Sequence, residues 1–148
     1  MYLFVLQLRR PPRSRLYPYT TLFRSPVFSV EVDNTPAVVT ASVIANTTTN
    51  TAGWIKKGGV YAVYANAQDS ASGLSSITAD VSAVTAGQTA LALTACASSC
   101  TAGGVTYAWK TAAKTAGAAL AEGARSYTST PTAQAANNAG EHALGVKV

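Results

Sequence analysis

The chain has 148 residues, with 11 Lys plus Arg against 6 Asp plus Glu, and a formal net charge of +5. Five of the cations (Arg9, Arg10, Arg13, Arg15 and Arg24) precede Pro26; the remaining six (Lys56, Lys57, Lys110, Lys114, Arg125, Lys147) balance the six acids, so no nucleic-acid partner is expected from residue 26 onward. Over the same stretch no apolar run approaches the roughly 20 residues of a membrane helix, which argues against direct membrane insertion, and an Ala-, Thr-, Ser-, Val- and Gly-rich composition poor in charge suits strands better than long amphipathic helices.

Met1 to Leu8 lacks the preceding charge and the small-residue cleavage site of a secretory signal. Residues 11–25 resemble the conceptual translation of a short-read sequencing adapter, Pro-Pro-Arg-Ser-Thr-Leu-Phe-Pro-Tyr-Thr-Thr-Leu-Phe-Arg-Ser, and depart from it only at Arg15 and Tyr17. That resemblance implies that residues 1–25 are a non-native, disordered segment, that the true start is missing, and that fold reasoning begins at Pro26. About 123 residues follow, the size of one domain with one core.

Period-two alternation of apolar and polar residues predicts strands at 27–32, 38–44, 60–67, 74–81, 90–96, 105–110, 125–130 and 144–148. Turn chemistry separates them at 33–36, 57–59, 69–73, 86–88, 102–104, 121–123 and 137–140. A helix of one or two turns within 111–121 is the alternative there, favoured by alanines and opposed by Gly117. The spacing predicts an all-β fold, an antiparallel β-sandwich of about seven strands. Pro131 cannot donate to a sheet ladder and so implies an edge or a bulge.

Ser29-Val30-Glu31-Val32 and Gly145-Val146-Lys147-Val148 share the pattern x-Val-charged-Val at an offset of 116 residues, the size of one immunoglobulin-like module. On that reading 26–36 is the end of a preceding module plus a linker stiffened by Pro36, and 37–148 is a complete module. The linker Val32-Asp33-Asn34-Thr35-Pro36 resembles the Val-Asp-Asn-Thr-x-Pro junctions of large bacterial cell-surface proteins built from tandem immunoglobulin-like repeats. Further resemblance lies in Gly53-Trp54-Ile55-Lys56-Lys57-Gly58-Gly59-Val60-Tyr61-Ala62-Val63-Tyr64-Ala65, the Asp69-x-x-Ser72-Gly73 turn, 76–82 with Thr85-Ala86-Gly87, and Ser126-Tyr127-Thr128 leading to Asn137-Asn138-Ala139-Gly140. The resemblance implies an immunoglobulin-like β-sandwich at the cell surface or outside the cell, neighbouring modules as partners, and a host-surface or polysaccharide ligand. The chain departs from the family's terminal Thr-Val-Thr-Ala strand at Ser129, Pro131 and Gln134.

Cys96 and Cys100 are the only cysteines, too few with the single His142 to make a zinc site. A disulfide closing a tight loop is the expectation, with free thiols as the alternative. Trp54, Trp109, Tyr61, Tyr64, Tyr107 and Tyr127 are expected in the core rather than on a sugar-stacking platform, Tyr127 as a corner residue bonding backbone. Asp69, Asp80 and Asn138 read as solvated turn residues rather than calcium ligands. His142 beside Glu141 reads as a solvated loop residue, and with no nucleophile elbow or phosphate loop nothing converges on catalysis; no enzyme and no cofactor are expected. Asn46-Thr47-Thr48 fits a glycan-acceptor pattern.

The expected function is a non-catalytic spacer or adhesion module of a multi-domain surface or secreted protein. The alternative is a carbohydrate-binding accessory module of a secreted polysaccharide-degrading enzyme. Exposed, coplanar aromatics favour the second, and buried aromatics the first.

Overall fold

The structure is a computed structural model that describes residues 30–134 and 142–147, with backbone alone for 142–146. Its strands belong to the unit Val32–Val148 and are β1 (Val38–Asn46), β2 (Val60–Gln68), β3 (Leu74–Asp80), β4 (Leu91–Ala102), β5 (Val105–Thr111), β6 (Lys114–Thr115), β7 (Ala124–Ala133) and β8 (His142–Lys147). No helix occurs among the described residues. All the strand pairings are antiparallel and run in the order β1-β2-β5-β4-β3-β7-β8, with β6 on the outer part of β2.

The sheet curls nearly into a barrel, bringing its two ends, β1 and β7–β8, together. The connection after β1 completes the approach. Ala52 pairs with Ala45 of β1, and two residues later Trp54 pairs in parallel with Lys147 of β8. The Lys147 N–H donates to the Gly53 carbonyl at 3.0 Å, and the Ile55 N–H donates to the Lys147 carbonyl at 3.2 Å. β1 starts beside the end of β2 (Val38 opposite Gln68), which defines a proximal end; β8 finishes at the opposite, distal end. At about 3.3 Å per residue, nine-residue β1 separates the two ends by about 27 Å.

Alternation sorts the side chains. Tyr61, Val63 and Ala65 from β2, Ile77 and Ala79 from β3, Leu93 from β4 and Tyr127 from β7 form one interior with Ile44, Ile55, Val81, Val84 and Ala116. The remaining face of β1 contributes Ala41, Val43 and Ala45 to a second, smaller cluster with Tyr64, Ala102 and Tyr107. Two polar groups sit inside. Tyr127 Oη meets Ser42 Oγ at 3.1 Å, and Ser42 Oγ also meets Ser129 Oγ at 3.2 Å, tying β1 to β7 across the interior. The fully buried Tyr61 donates to Thr85 Oγ1 at 2.8 Å, because the Thr85 hydroxyl itself donates to the Thr115 carbonyl.

Seven of the expected strands are present, and the differences have local causes. The strand expected at 27–32 lies in part outside the described residues; where it is described, Val30 and Val32 are 88% and 79% exposed and Glu31 is irregular. An alternating sequence becomes a strand only where a neighbour takes its backbone hydrogen bonds, and no described residue pairs with 30–32. The helix weighed for 111–121 is absent. Thr111 ends β5, its hydroxyl accepts the Val63 N–H at 3.0 Å in place of a ladder carbonyl, and β6 then rejoins β2 with Ala116 buried behind it. His142 opens β8 opposite Ser129 and is not a loop residue. Pro131 lies beyond Ser129, the last residue of β7 that β8 pairs, so the edge it required is there; the facing part of β3 carries a bulge between Leu74 and Ser76.

Candidate functional site

The Cys96–Cys100 disulfide is formed, with Cα atoms 5.9 Å apart. It lies within a strand rather than at the end of one. β4 continues to Ala102, and between Ala95 (opposite Trp109) and Cys100 (opposite Tyr107) four residues bulge out against Ala108 alone. On the other flank of Ala108, the β2–β5 ladder stops at Ala65–Trp109 and the Asn66 side chain takes over. Its Oδ1 accepts from the Ala108 N–H at 2.7 Å, and its Nδ2 donates to the Thr106 carbonyl at 3.0 Å. A bulge bends its strand, and past this one the hairpin folds over the second cluster. At its tip the Gly103 N–H donates to the Asn50 carbonyl at 3.1 Å. A Cβ on Gly103, whose φ is +56°, would come within 2.5 Å of the Ala52 Cβ, so this tip is seated closely on the β1–β2 connection. Such a disulfide belongs to an oxidising, non-cytoplasmic setting.

The aromatic residues divide as the sequence could not show. Tyr61, Tyr107 and Tyr127 are buried, Tyr64 tilts against Tyr107 with centroids 5.9 Å apart, and Trp109 packs on the main interior. Tyr127 does not bond backbone as a corner residue would; its hydroxyl meets Ser42 across the interior. Burial pushes its phenol up to about 12, opposed by the Ser42 hydrogen bond and assisted by nearby Tyr107. Burial also raises Tyr61 and Tyr107.

Trp54 is the exception, 55% exposed at the distal end. It is held there by backbone: Ile55, next in sequence, is buried in the interior, and the paired Lys147 fixes the strand register on the other side. Successive residues of an extended segment point to opposite sides, so burying Ile55 turns Trp54 outward. The Lys147 ammonium stands 5.3 Å from the indole centroid, over the ring. Trp54, Lys147, Glu122, Gly123 and Ala124 line an open hollow of about 460 Å³. Glu122 also borders a second hollow of about 400 Å³ formed with Ile55, Lys56, Lys57, Leu120 and Ala121. Glu122 and Lys147 were not singled out from the sequence. The repeated x-Val-charged-Val pattern marks the Lys147 strand, but nothing local marks its neighbour across the groove.

The two described calcium candidates do not meet. Asp69 and Asp80 flank opposite ends of β3, about 20 Å apart by strand length, and Asn138 lies outside the described residues. Asp69 Oδ1 caps its own turn by accepting from the Ala71 and Gly73 N–H groups at 2.9 and 3.3 Å, while its Oδ2 is buried without a hydrogen-bond partner. Asp80 caps Ser82 at 2.9 Å, and these Ser82 hydrogen bonds hold its carboxyl below the usual range. Among the described residues no three His, Cys, Asp or Glu side chains converge on a metal-sized point. Asp33 joins the linker to the same turn, with Oδ1 on the Thr35 N–H at 2.7 Å and Oδ2 on the Ser72 N–H at 2.9 Å. Asn46 Oδ1 caps the Thr48 and Thr49 N–H groups at 2.8 and 3.1 Å. No described helix is long and apolar enough to cross a membrane. Comparison with family models, with curated proteins and with solved structures finds no match for the chain.

Proposed function

We propose that residues 37–148 are an immunoglobulin-like sandwich that serves, without catalysis, as a spacer or adhesion module of a multi-module protein at the cell surface or outside the cell. The observation that carries the reading is the path of the chain: it comes in at the proximal end through β1 and leaves at the distal end through β8, about 27 Å away. Modules threaded in this way join end to end, and each adds its length to a stalk. The strand order supports the fold. β1-β2-β5-β4 and β3-β7-β8 follow the two sheets of a constant-type immunoglobulin domain, with the short β4–β3 contact at Leu91 and Ala92 linking them. Asp33 pinned to Ser72 favours a stiff joint, and the disulfide suits an exported protein.

Pulling the chain by its two ends in a single-molecule force experiment tests the reading. β1 and β8 both lie along the line of pull, so their hydrogen bonds load in shear. One cooperative event should release about 350 Å of chain, from 110 residues at roughly 3.5 Å each less the folded length and the disulfide loop. Gradual extension without a resolved event would refute a mechanical role. A second reading, carbohydrate binding, is favoured by one observation, the exposure of Trp54 beside Glu122 and Lys147.

A further inference from the structure

The geometry points to a saccharide-binding groove at the distal end, in which a pyranose ring stacks on Trp54 in place of the Lys147 ammonium, which swings to the rim opposite Glu122, and a carboxylate on the same polysaccharide chain meets Lys56 and Lys57. The inference names the ligand of the adhesion reading and rests on it only in that the module meets polysaccharide outside a cell.

Among the described aromatics Trp54 is the one largely exposed, its indole beside the Lys147 ammonium in a hollow of about 460 Å³ that adjoins another of about 400 Å³. Both volumes fall within the range of about 300 to 1,000 Å³ usual for small-ligand sites. What such a groove can hold follows from its donors and acceptors. A peptide strand would need a free sheet edge, but both the N–H and the carbonyl of Lys147 are already bonded to the 53–55 segment. A partner helix would need several apolar anchors in a row, whereas the Trp54 hollow offers Trp54 and Ala124, and in the adjoining one the apolar Leu120 and Ala121 are set among Lys56, Lys57 and Glu122. A pyranose asks for different things: its C–H face lies on the electron-rich face of an indole, and its equatorial hydroxyls need acceptors and donors at the rim. Glu122 supplies the acceptor, Lys147 the donor, and Gly123, where a Cβ would meet nothing within 4 Å, keeps the floor open. Among the described residues around the paired hollows there are three ammonium groups (Lys56, Lys57, Lys147) and one carboxylate, Glu122. That imbalance favours an acidic over a neutral chain.

The test is calorimetric titration of the full chain with two probes, a tetrameric oligogalacturonate and cellotetraose. The wild type should bind both and prefer the acidic one. Trp54→Ala should weaken both by about tenfold, the scale of a lost aromatic contact, with Trp54→Phe recovering part of it. The double variant Lys56→Ala, Lys57→Ala should remove the preference for the acidic probe while leaving cellotetraose binding in place, and 0.5 M salt should do the same. Thermal unfolding midpoints report whether each variant is folded. Equal affinities for wild type and folded Trp54→Ala, or no binding of either probe at about 10 mM, would overturn the groove. So would self-association of the chain that Trp54→Ala abolishes, which would make the indole a protein contact. None of these results bears on the force measurement, so the groove and the stalk stand or fall separately.

Discussion

The main interior and the bent β4–β5 hairpin solve the same problem with different means. The interior holds twelve buried residues, among them Ile44, Ile77, Val63 and Tyr61, and apolar burial is the main force packing β1, β2, β3 and β7 together, with the Ser42, Tyr127 and Ser129 hydroxyls adding a polar tie. The second cluster has three, Ala45, Ala102 and Tyr107, two of them alanines. There the hairpin relies on a covalent staple at Cys96–Cys100, on the Asn66 amide in place of a ladder, and on a glycine at the one point where the tip touches Ala52. Where side-chain volume runs short, this chain substitutes specific polar and covalent constraints for area.

Loss of volume from the interior should have the largest effect. Ile77→Ala, at a fully buried position, should cost about 4 kcal/mol in denaturant unfolding and accelerate amide exchange in every strand together. The hairpin counterpart is Gly103→Ala, which forces a left-handed residue and a methyl group against a methyl group; about 3 kcal/mol is expected, with faster exchange concentrated in β4 and β5. Gly104→Ala shares the positive φ without the collision, and should cost about half as much.

Alkali probes the polar ties inside the large cluster. The folded Tyr127 pKa of about 12 lies above the ordinary phenol value of 10.0, so the stability linked to its proton is complete below pH 10 and is lost as the pH rises through 12. A fall of about 2 to 3 kcal/mol over that window should appear in the wild type. Tyr127→Phe should flatten it, leaving a residue from Tyr61 and Tyr107, which are shifted in the same direction.

Reducing the disulfide, or replacing both cysteines by serine, should cost about 2 kcal/mol, since a loop of five residues removes little entropy from the unfolded chain. Exchange should again accelerate in the hairpin alone. A global loss of protection would mean that the two regions are one cooperative unit.

The strands were legible in the sequence because their signal is local. Alternation through Val39-Thr40-Ala41-Ser42-Val43 and Tyr61-Ala62-Val63 reads as strand without reference to any neighbour, and glycine-bearing turns such as Lys57-Gly58-Gly59 mark ends. What stayed hidden depended on neighbours. Val30 and Val32 alternate as well as any strand, but alternation does not supply a partner. Ala97-Ser98-Ser99 reads as a turn, and only the pairing of Cys100 with Tyr107 reveals that β4 resumes after it. Lys114–Thr115 is too short for any period. Trp54 and Trp109 look alike on the page; burial of Ile55 sets the first outward, and packing on the interior holds the second in.

The segment from Ala52 to Ile55, which pairs with β1 on one side and β8 on the other, also bears on how such molecules live side by side. A sheet margin with idle amides invites a second molecule to add its own strand, and repulsion between like charges is the usual deterrent. This domain has six positive and six negative side chains in balance and so has little of that repulsion. By occupying the margin with its own backbone at the distal end, the chain resists aggregation through geometry rather than through charge.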